Sequence, residues 1–503
     1  MLGRVYSAAV LGINAEPILA EADVKDGLPS FSMVGTLSCE TREAKDRVRI
    51  ALENSGYRLP VKRITVNLSP ADIKKDGTSF DLSVAIAVLT AFGLIPEEYV
   101  EKCLFMGELC FDGKINPVPG VLPAACMAKE KGFLSCFVPK QNASEAVIAE
   151  GLTVYGVETL SEVTEILLGF RSAVPYEEEE IDLTETALPD FSEVCGQETA
   201  KRALEIAAAG RHNLLMVGTP GTGKTMLAKR MLSILPELTF EESLEISKIY
   251  SVAGLLNNNG RLITDPPFRA PHHTISQAAF AGGGKKAMPG CVSLAHKGVL
   301  FLDELPEFPR NIIETLREPL EDRSITVSRM DASYVYPAGG ILVAAMNPCP
   351  CGYYPDRYRC NCNEQQIRKY RGKISQPILD RIDLCVNVEA VQYRELVQNR
   401  KAETSSAIKK RVTQAREVQR KRYEGMGITV NSELNGEKLK TFCSLDSAGE
   451  KLMEKAFTGL GLSARGYHRV LKVARTVADL EHSENITEKH LKEALQYRCF
   501  EVS

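Results

Sequence analysis

The chain has 503 residues, 44% of them hydrophobic and 25% charged, with a formal net charge of −4. That length allows several domains of roughly 100–200 residues, and that composition is ordinary for a folded globular protein. The charge excludes nucleic-acid binding through a bulk basic field, so any such contact must come from local basic patches.

The start, Met1-Leu2-Gly3-Arg4-Val5-Tyr6, carries no signal-peptide pattern. No apolar run reaches the ~20 residues that span a bilayer. A cytoplasmic protein is expected, with most of the 14 cysteines as reduced, scattered thiols. An N-terminal unit, residues 1–170, mixes strands and helices. Arg63–Leu68 reads as a strand and Asp81–Leu89 as a buried helix. Arg47, Arg49, Arg58, Lys62, Arg63, Lys74 and Lys75 form a basic stretch, either a DNA or scaffold surface or an ordinary solvated face. An acidic linker, 171–190, contains Tyr176-Glu177-Glu178-Glu179-Glu180-Ile181-Asp182 between Pro175 and Pro189.

Gly218-Thr219-Pro220-Gly221-Thr222-Gly223-Lys224-Thr225 is a complete phosphate-binding loop, G-x-x-x-x-G-K-[ST]. Its glycines allow a tight turn that aims N–H groups at a polyphosphate. Lys224 reaches the β and γ phosphates, and Thr225 ligates Mg²⁺. His212–Val217 reads as a strand before it and Met226–Leu232 as a helix after it, so the phosphates fall at a helix N-terminus. Gly298–Leu302 is an apolar strand ending in Asp303-Glu304. Asp303 supports Mg²⁺, and Glu304 orients and deprotonates the attacking water. Ile341–Met346 is another buried strand, ending in Asn347. Ligands of parallel sheets lie at the carboxyl ends of strands, which places Asn347 beside the γ-phosphate as a water-positioning residue. Strands at 213–217, 298–302 and 341–346, alternating with helical patterns, predict an α/β fold with a mainly parallel sheet covered on both faces.

Cys349-Pro350-Cys351 and Cys360-Asn361-Cys362 give four thiols on one loop. They suit a structural Zn²⁺, although C-x-C pairs are tighter than the usual zinc spacing. Arg381, in Ile378–Leu384, and Arg465, at the start of a helical pattern over Ser463–Glu481, are candidates to stabilise charge on a transferring phosphoryl group. From about residue 393 the pattern is helical, and Ala407–Tyr423 is rich in Lys and Arg.

In order and spacing these motifs resemble the magnesium-chelatase-like AAA+ ATPases, most closely the ComM/YifB family. Ala200–Gly210, Phe268–Thr274, Ser293–Glu304, Asn347–Gly352 and Ala474–Leu480 carry the resemblance, which covers nearly the whole chain. It implies an AAA+ P-loop ATPase core over 191–395 and a C-terminal helical lid over 396–503. It implies a homohexameric ring with ATP between subunits, Arg381 as a finger toward a neighbour's ATP, and Arg465 as a second sensor on the lid. It also implies an insertion at about 240–290 and a hairpin over Arg323–Tyr336, elements that line the pore and touch DNA in ring translocases of this clade. Arg269, His272, His273, Lys285, Lys286, Arg323 and Arg329 supply phosphate donors there, and Gly282-Gly283-Gly284 supplies a mobile loop. A metal at His272-His273 is disfavoured, because adjacent side chains in a strand point apart and no third ligand is nearby.

The N-terminal unit is similar to the Lon protease domain, a ribosomal-S5-like α+β fold, through Lys74–Asp81, Gly107-Glu108-Leu109 and Asn116–Gly120. Ser79 falls at that family's nucleophile. The turn after Gly120 continues Val121-Leu122-Pro123 without the activating lysine a serine nucleophile needs, so the unit is expected to be proteolytically inactive. The resemblance makes the chain a DNA-binding ATP-hydrolysing motor, a helicase or branch-migration factor in homologous recombination or natural transformation. The alternative is a chelatase-type ATPase that remodels a protein partner. The N-terminal unit argues against it, since plain chelatase motor subunits are expected to lack that unit.

Overall fold

The computed structural model describes residues 2–177, 188–256, 261–284, 286–328, 333–390 and 403–498. Most of the acidic run, Lys285, Arg329 and the 395/396 boundary lie outside the described residues.

Residues 2–157 build a seven-stranded mixed sheet. Its spatial order is Ser30–Val34, Arg63–Ser69, Asn14–Lys25, Leu2–Leu11, Cys103–Phe105, Ser135–Pro139, Thr153–Val157. The pair Leu2–Leu11 and Asn14–Lys25 is an antiparallel hairpin, with Leu11 opposite Asn14. The last three strands run parallel to Leu2–Leu11. One face packs on the helices Ala44–Asn54 and Asp81–Ala91, the other on Val121–Glu130. Every residue of Asp81–Ala91 is buried, so the apolar run reads as a helix without amphipathic relief because both of its sides are covered.

Asp81 is the one charged residue in that helix. Its carboxylate is fully buried and receives Arg47 Nε at 2.7 Å and Nη2 at 2.9 Å. Burial pushes its pKa up, and Arg47 opposes that rise. Removing one partner of a buried pair leaves an uncompensated charge. Arg47→Ala should therefore destabilise this unit by about 3–5 kcal/mol, read as an earlier chemical-denaturation midpoint. Arg47 is thus not available as a surface cation. Neither is Lys75, which is fully buried with its Nζ donating to Pro70 O.

The second sheet is wholly parallel. Its order is Phe268–Arg269, Val299–Leu302, Ile341–Met346, Leu214–Gly218, Leu384–Val388. Alternate side chains feed two cores. Leu214, Met216, Val299, Phe301, Val343 and Ala345 join one, with the helices Glu198–Gly210, Ser405–Arg422 and Ala464–Leu480. Leu215, Val217, Leu300, Leu302, Leu342 and Ala344 join the other. Runs apolar at every position follow from burial on both faces.

The C-terminal helices are fastened to the first core by buried polar groups. Arg422 clamps Asp479 with two bonds of 2.9 and 2.6 Å, and Asn431 Nδ2 reaches the same carboxylate at 2.8 Å. His212 Nε2 meets Thr476 Oγ1 at 2.7 Å. The stretch Ala474–Leu480 therefore owes its polar members to this internal network. The two units meet where Ser251, near the end of the helix Phe240–Val252, donates to Glu145 Oε2 at 2.6 Å. Gly120 N donates to Ser251 O at 3.0 Å across the same junction.

Candidate nucleotide site and its distant arginines

The strand Leu214–Gly218 ends at the phosphate loop, and the helix Lys224–Arg230 begins directly after it. The helix starts two residues before the expected Met226. Gly221 and Gly223 hold φ of 80° and 83°, the left-handed region where a side chain is strained. Thr222 Oγ1 donates to Thr219 O at 2.9 Å, and Gln197 Nε2 donates to Thr222 O at 2.7 Å. Gln197 braces the loop from behind, a role that no motif announced.

Lys224 Nζ donates to Gly218 O at 2.7 Å, Thr219 O at 3.0 Å and Asn347 Oδ1 at 3.3 Å. Burial pushes its pKa down, while Asp303 and Glu304 pull it back. Thr225 Oγ1 donates to Asp303 Oδ2 at 2.7 Å. A hydroxyl beside a carboxylate, next to a lysine at a helix N-terminus, is the donor set that a Mg²⁺–triphosphate needs. Asp303 and Glu304 follow the strand Val299–Leu302. Glu304 is exposed and holds φ 51°, with its N–H donating to Asp303 Oδ1 at 3.0 Å. Left-handed backbone at a non-glycine residue costs about 1–3 kcal/mol and clusters at functional sites. The structure thus brings Lys224, Thr225, Asp303, Glu304 and Asn347 together at the carboxyl ends of three adjacent strands.

Arg381 and Arg465 lie elsewhere. Arg381 precedes the strand Leu384–Val388, and its carbonyl accepts from Asn213 Nδ2 at 3.1 Å. Asn213 stands before the strand Leu214–Gly218, so the strand's full length, roughly 16 Å at ~3.3 Å per residue, separates Arg381 from the phosphate loop. Arg465 sits in the first turn of Ala464–Leu480, capped by Ser463. Both guanidiniums converge on Glu321: Arg381 Nη2 donates to Oε2, and Arg465 Nη2 is 3.8 Å from Oε1. They share a cavity of about 610 Å³ with Arg323, Arg469 and Lys472. Asp383 lies there too. Burial would raise its pKa, but His212, whose Nδ1 lies 3.4 Å from the carboxylate, and the charge of Lys472 hold it at about 2. Nothing in the sequence singled out Glu321, one acid in the short charged helix Arg317–Asp322.

The four cysteine sulfurs, Cys349, Cys351, Cys360 and Cys362, lie within 4.8 Å of one another. They are the one such cluster of metal-ligating side chains among the described residues.

The proposed phosphate donors are dispersed. Arg269, on the edge strand Phe268–Arg269, stacks over Tyr250 at 5.1 Å and donates to its hydroxyl at 3.2 Å. Lys286 Nζ is 3.4 Å from Glu40 in the N-terminal unit. Arg323 donates to Gly340 O at 3.4 Å and Ser432 Oγ at 3.2 Å, and burial pushes its pKa down. His272 and His273 lie side by side with ring centroids 4.0 Å apart and planes tilted by 34°, and His272 Nδ1 meets Thr274 Oγ1 at 2.8 Å. They do not point apart, because the chain turns there instead of extending. Gly282-Gly283 pairs with Met288-Pro289 in a short antiparallel ladder, so that segment is a hairpin. A second hairpin pairs Ser324–Ser328 with Ser333–Pro337, as expected before the strand Ile341–Met346.

The cavity beside Ser79 is lined by Lys74, Gly77, Pro119, Gly120, Lys286 and Tyr334 among others. Phe80, next to Ser79, is core, and Asp81 is spent on Arg47.

Residues 190–396 match the family described as magnesium chelatase, subunit ChlI. Residues 402–498 match its C-terminal family. Competence protein ComM of Haemophilus influenzae is 42% identical over 99% of this chain and 97% of its own. The chain belongs to the ComM/YifB family of magnesium-chelatase-like ATPases. The uncharacterized protein YifB of Escherichia coli is 41% identical over 99% of this chain and 97% of its own. Lon protease 2 of Bacillus subtilis is 30% identical over 30% of this chain and 28% of its own. As a ComM/YifB member the chain is an ATPase that uses ATP and Mg²⁺. Residues 20–142 match a family also described as subunit ChlI of Mg-chelatase. The N-terminal unit therefore no longer argues against a chelatase-like role. Among the described residues no helix is long and apolar enough to cross a membrane.

Proposed function

We propose that this chain is a cytoplasmic ATP-driven motor that works on single-stranded or branched DNA as a homohexameric ring. It would serve as a helicase or branch-migration factor in homologous recombination or natural transformation. In this reading 1–170 is a Lon-like unit without proteolysis, 171–190 a linker, 191–395 the AAA+ core and 396–503 the helical lid. Lys224 binds phosphate, Thr225 and Asp303 hold Mg²⁺, Asn347 positions water and Glu304 takes its proton. Cys349, Cys351, Cys360 and Cys362 hold a structural Zn²⁺.

The observation that carries the ring is the placement of Arg381 and Arg465. Both sit at the sheet edge opposite the phosphate loop, joined by Glu321. Two arginines so far from their own nucleotide site suit a neighbour's ATP, where guanidinium groups stabilise the charge of phosphoryl transfer. Arg465 then acts in the neighbour's site, not over its own.

DNA as the substrate is supported by the name of the Haemophilus relative, a competence protein, and by the hairpin Ser324–Pro337. His272, His273, Lys285, Lys286 and Arg329 are the donors proposed to meet phosphates; Lys285 and Arg329 lie outside the described residues. Arg269 and Arg323 hold internal contacts and are assigned to structure.

The deciding experiment measures ATPase rate with and without single-stranded and forked DNA across a salt series. Stimulation that falls steeply with salt is expected, because counterion release governs phosphate binding. A rate indifferent to DNA would favour the remodelling of a protein partner.

A further inference from the structure

The four cysteines sit on the loop between the strand Ile341–Met346 and the helix Glu364–Arg371. The sulfurs of Cys349 and Cys351 are 3.4 Å apart, those of Cys349 and Cys360 3.7 Å, and those of Cys351 and Cys360 3.6 Å. Zn–S bonds of ~2.3 Å in a tetrahedron put sulfurs about 3.8 Å apart. A disulfide would need about 2.05 Å. Tyr354 N–H points at Cys349 Sγ from 3.4 Å, an outer contact of the kind that orients metal-bound ligands. The loop's own core is little more than these sulfurs with Tyr354 and Ile367. So long a loop without regular structure needs some other clamp.

The loop is pressed against the nucleotide site. Gly352 holds φ 87°, and a Cβ there would lie 2.6 Å from Pro220 Cδ and 2.7 Å from Pro220 Cγ. Pro220 belongs to the phosphate loop. The same Cβ would lie 3.9 Å from Asn347 Cγ, and Asn347 Oδ1 accepts from Lys224. Arg371 fixes the loop's other side by donating to Pro348 O at 3.2 Å.

We infer that Cys349, Cys351, Cys360 and Cys362 bind one Zn²⁺, and that this knuckle braces Pro220 and Asn347 so that metal occupancy sets nucleotide affinity. The bracing role rests on the ATPase reading above; the metal site does not. Gly352 is a positioning residue, because it acts through Pro220. It is glycine because the knuckle must approach the phosphate loop closer than any side chain permits.

The test uses full-length protein purified under reducing conditions. Elemental analysis should find one zinc per chain, and Co²⁺ in its place should show the visible absorption of a tetrahedral thiolate site. Gly352→Ala keeps all four thiols. It should retain zinc and a wild-type circular dichroism spectrum, yet bind a fluorescent ATP analogue about tenfold more weakly. Extraction of the zinc should weaken binding in the same way. Folded, reduced protein without stoichiometric zinc overturns the metal site. Zinc present, with wild-type nucleotide affinity in both Gly352→Ala and extracted protein, overturns the brace. A zinc-loaded wild-type chain that binds no nucleotide at all removes the ATPase reading and the bracing role together, while the metal site stands.

Discussion

Replacing Glu304 by glutamine should leave ATP bound and lower turnover by about 10²–10⁴-fold, the usual contribution of a positioned general base. The amide keeps the size and hydrogen-bonding shape of the carboxylate but takes no proton at neutral pH. Glu304 is suited to the role by position. It follows Asp303 at a strand end, is exposed, and is held at φ 51° beside the Asp303–Thr225 pair. Left-handed backbone at a non-glycine residue is of the kind that clusters at functional sites. Nucleotide affinity by fluorescence and phosphate release by a coupled assay separate the two effects. Hydrolysis at the wild-type rate by Glu304→Gln would remove Glu304 from its role.

Replacing Arg381 by alanine should lower turnover by about 10³–10⁵-fold, the range for an arginine that stabilises the transferring phosphoryl group. Nucleotide affinity should change little, because Lys224, Thr225 and Asp303 are a strand's length away in the same chain. The substitution also frees Glu321 and Pro377 O, which Arg381 now contacts. Glu321→Gln is the control. It breaks the same ion pair but keeps the arginine, so it should retain most of the turnover. A fall of equal size in Glu321→Gln would mean that the ion pair, and not the arginine's charge, matters for turnover.

Much of the nucleotide site was legible in the sequence because its parts are local. The strands Leu214–Gly218, Val299–Leu302 and Ile341–Met346 are short apolar runs, each ended by a glycine or a polar residue. A short run buried on both faces and stopped by Gly218, Asp303 or Asn347 leaves few alternatives. Distant pairings were not legible. Arg47 finds Asp81, Arg381 finds Glu321, and Arg323 finds Ser432, partners 34, 60 and 109 residues away. In the sequence each looks like one more surface cation, since the spacing of a long-range contact follows from topology and leaves no periodic mark. The expectation that His272 and His273 point apart failed for another reason. The alternation argument holds for strands, and the chain turns at His273-Thr274, where Ile275 N–H donates to His272 O at 3.0 Å. The cysteine loop was legible as a cluster by its composition, but its contact with Pro220 depends on how the sheet brings two loops to one edge.

In the proposed ring each ATP site is completed by a neighbour's Arg381. Glu304→Gln and Arg381→Ala chains, each nearly inactive alone, can be mixed in equal amounts and allowed to exchange. In a head-to-tail ring, some interfaces then pair an intact Glu304 with an intact Arg381. Random mixing makes that fraction about one quarter, the product of two halves. ATPase activity should rise on mixing toward about a quarter of the wild-type rate. Mixtures that stay as inactive as their components, while exchange is confirmed by light scattering and labelled chains, would contradict it.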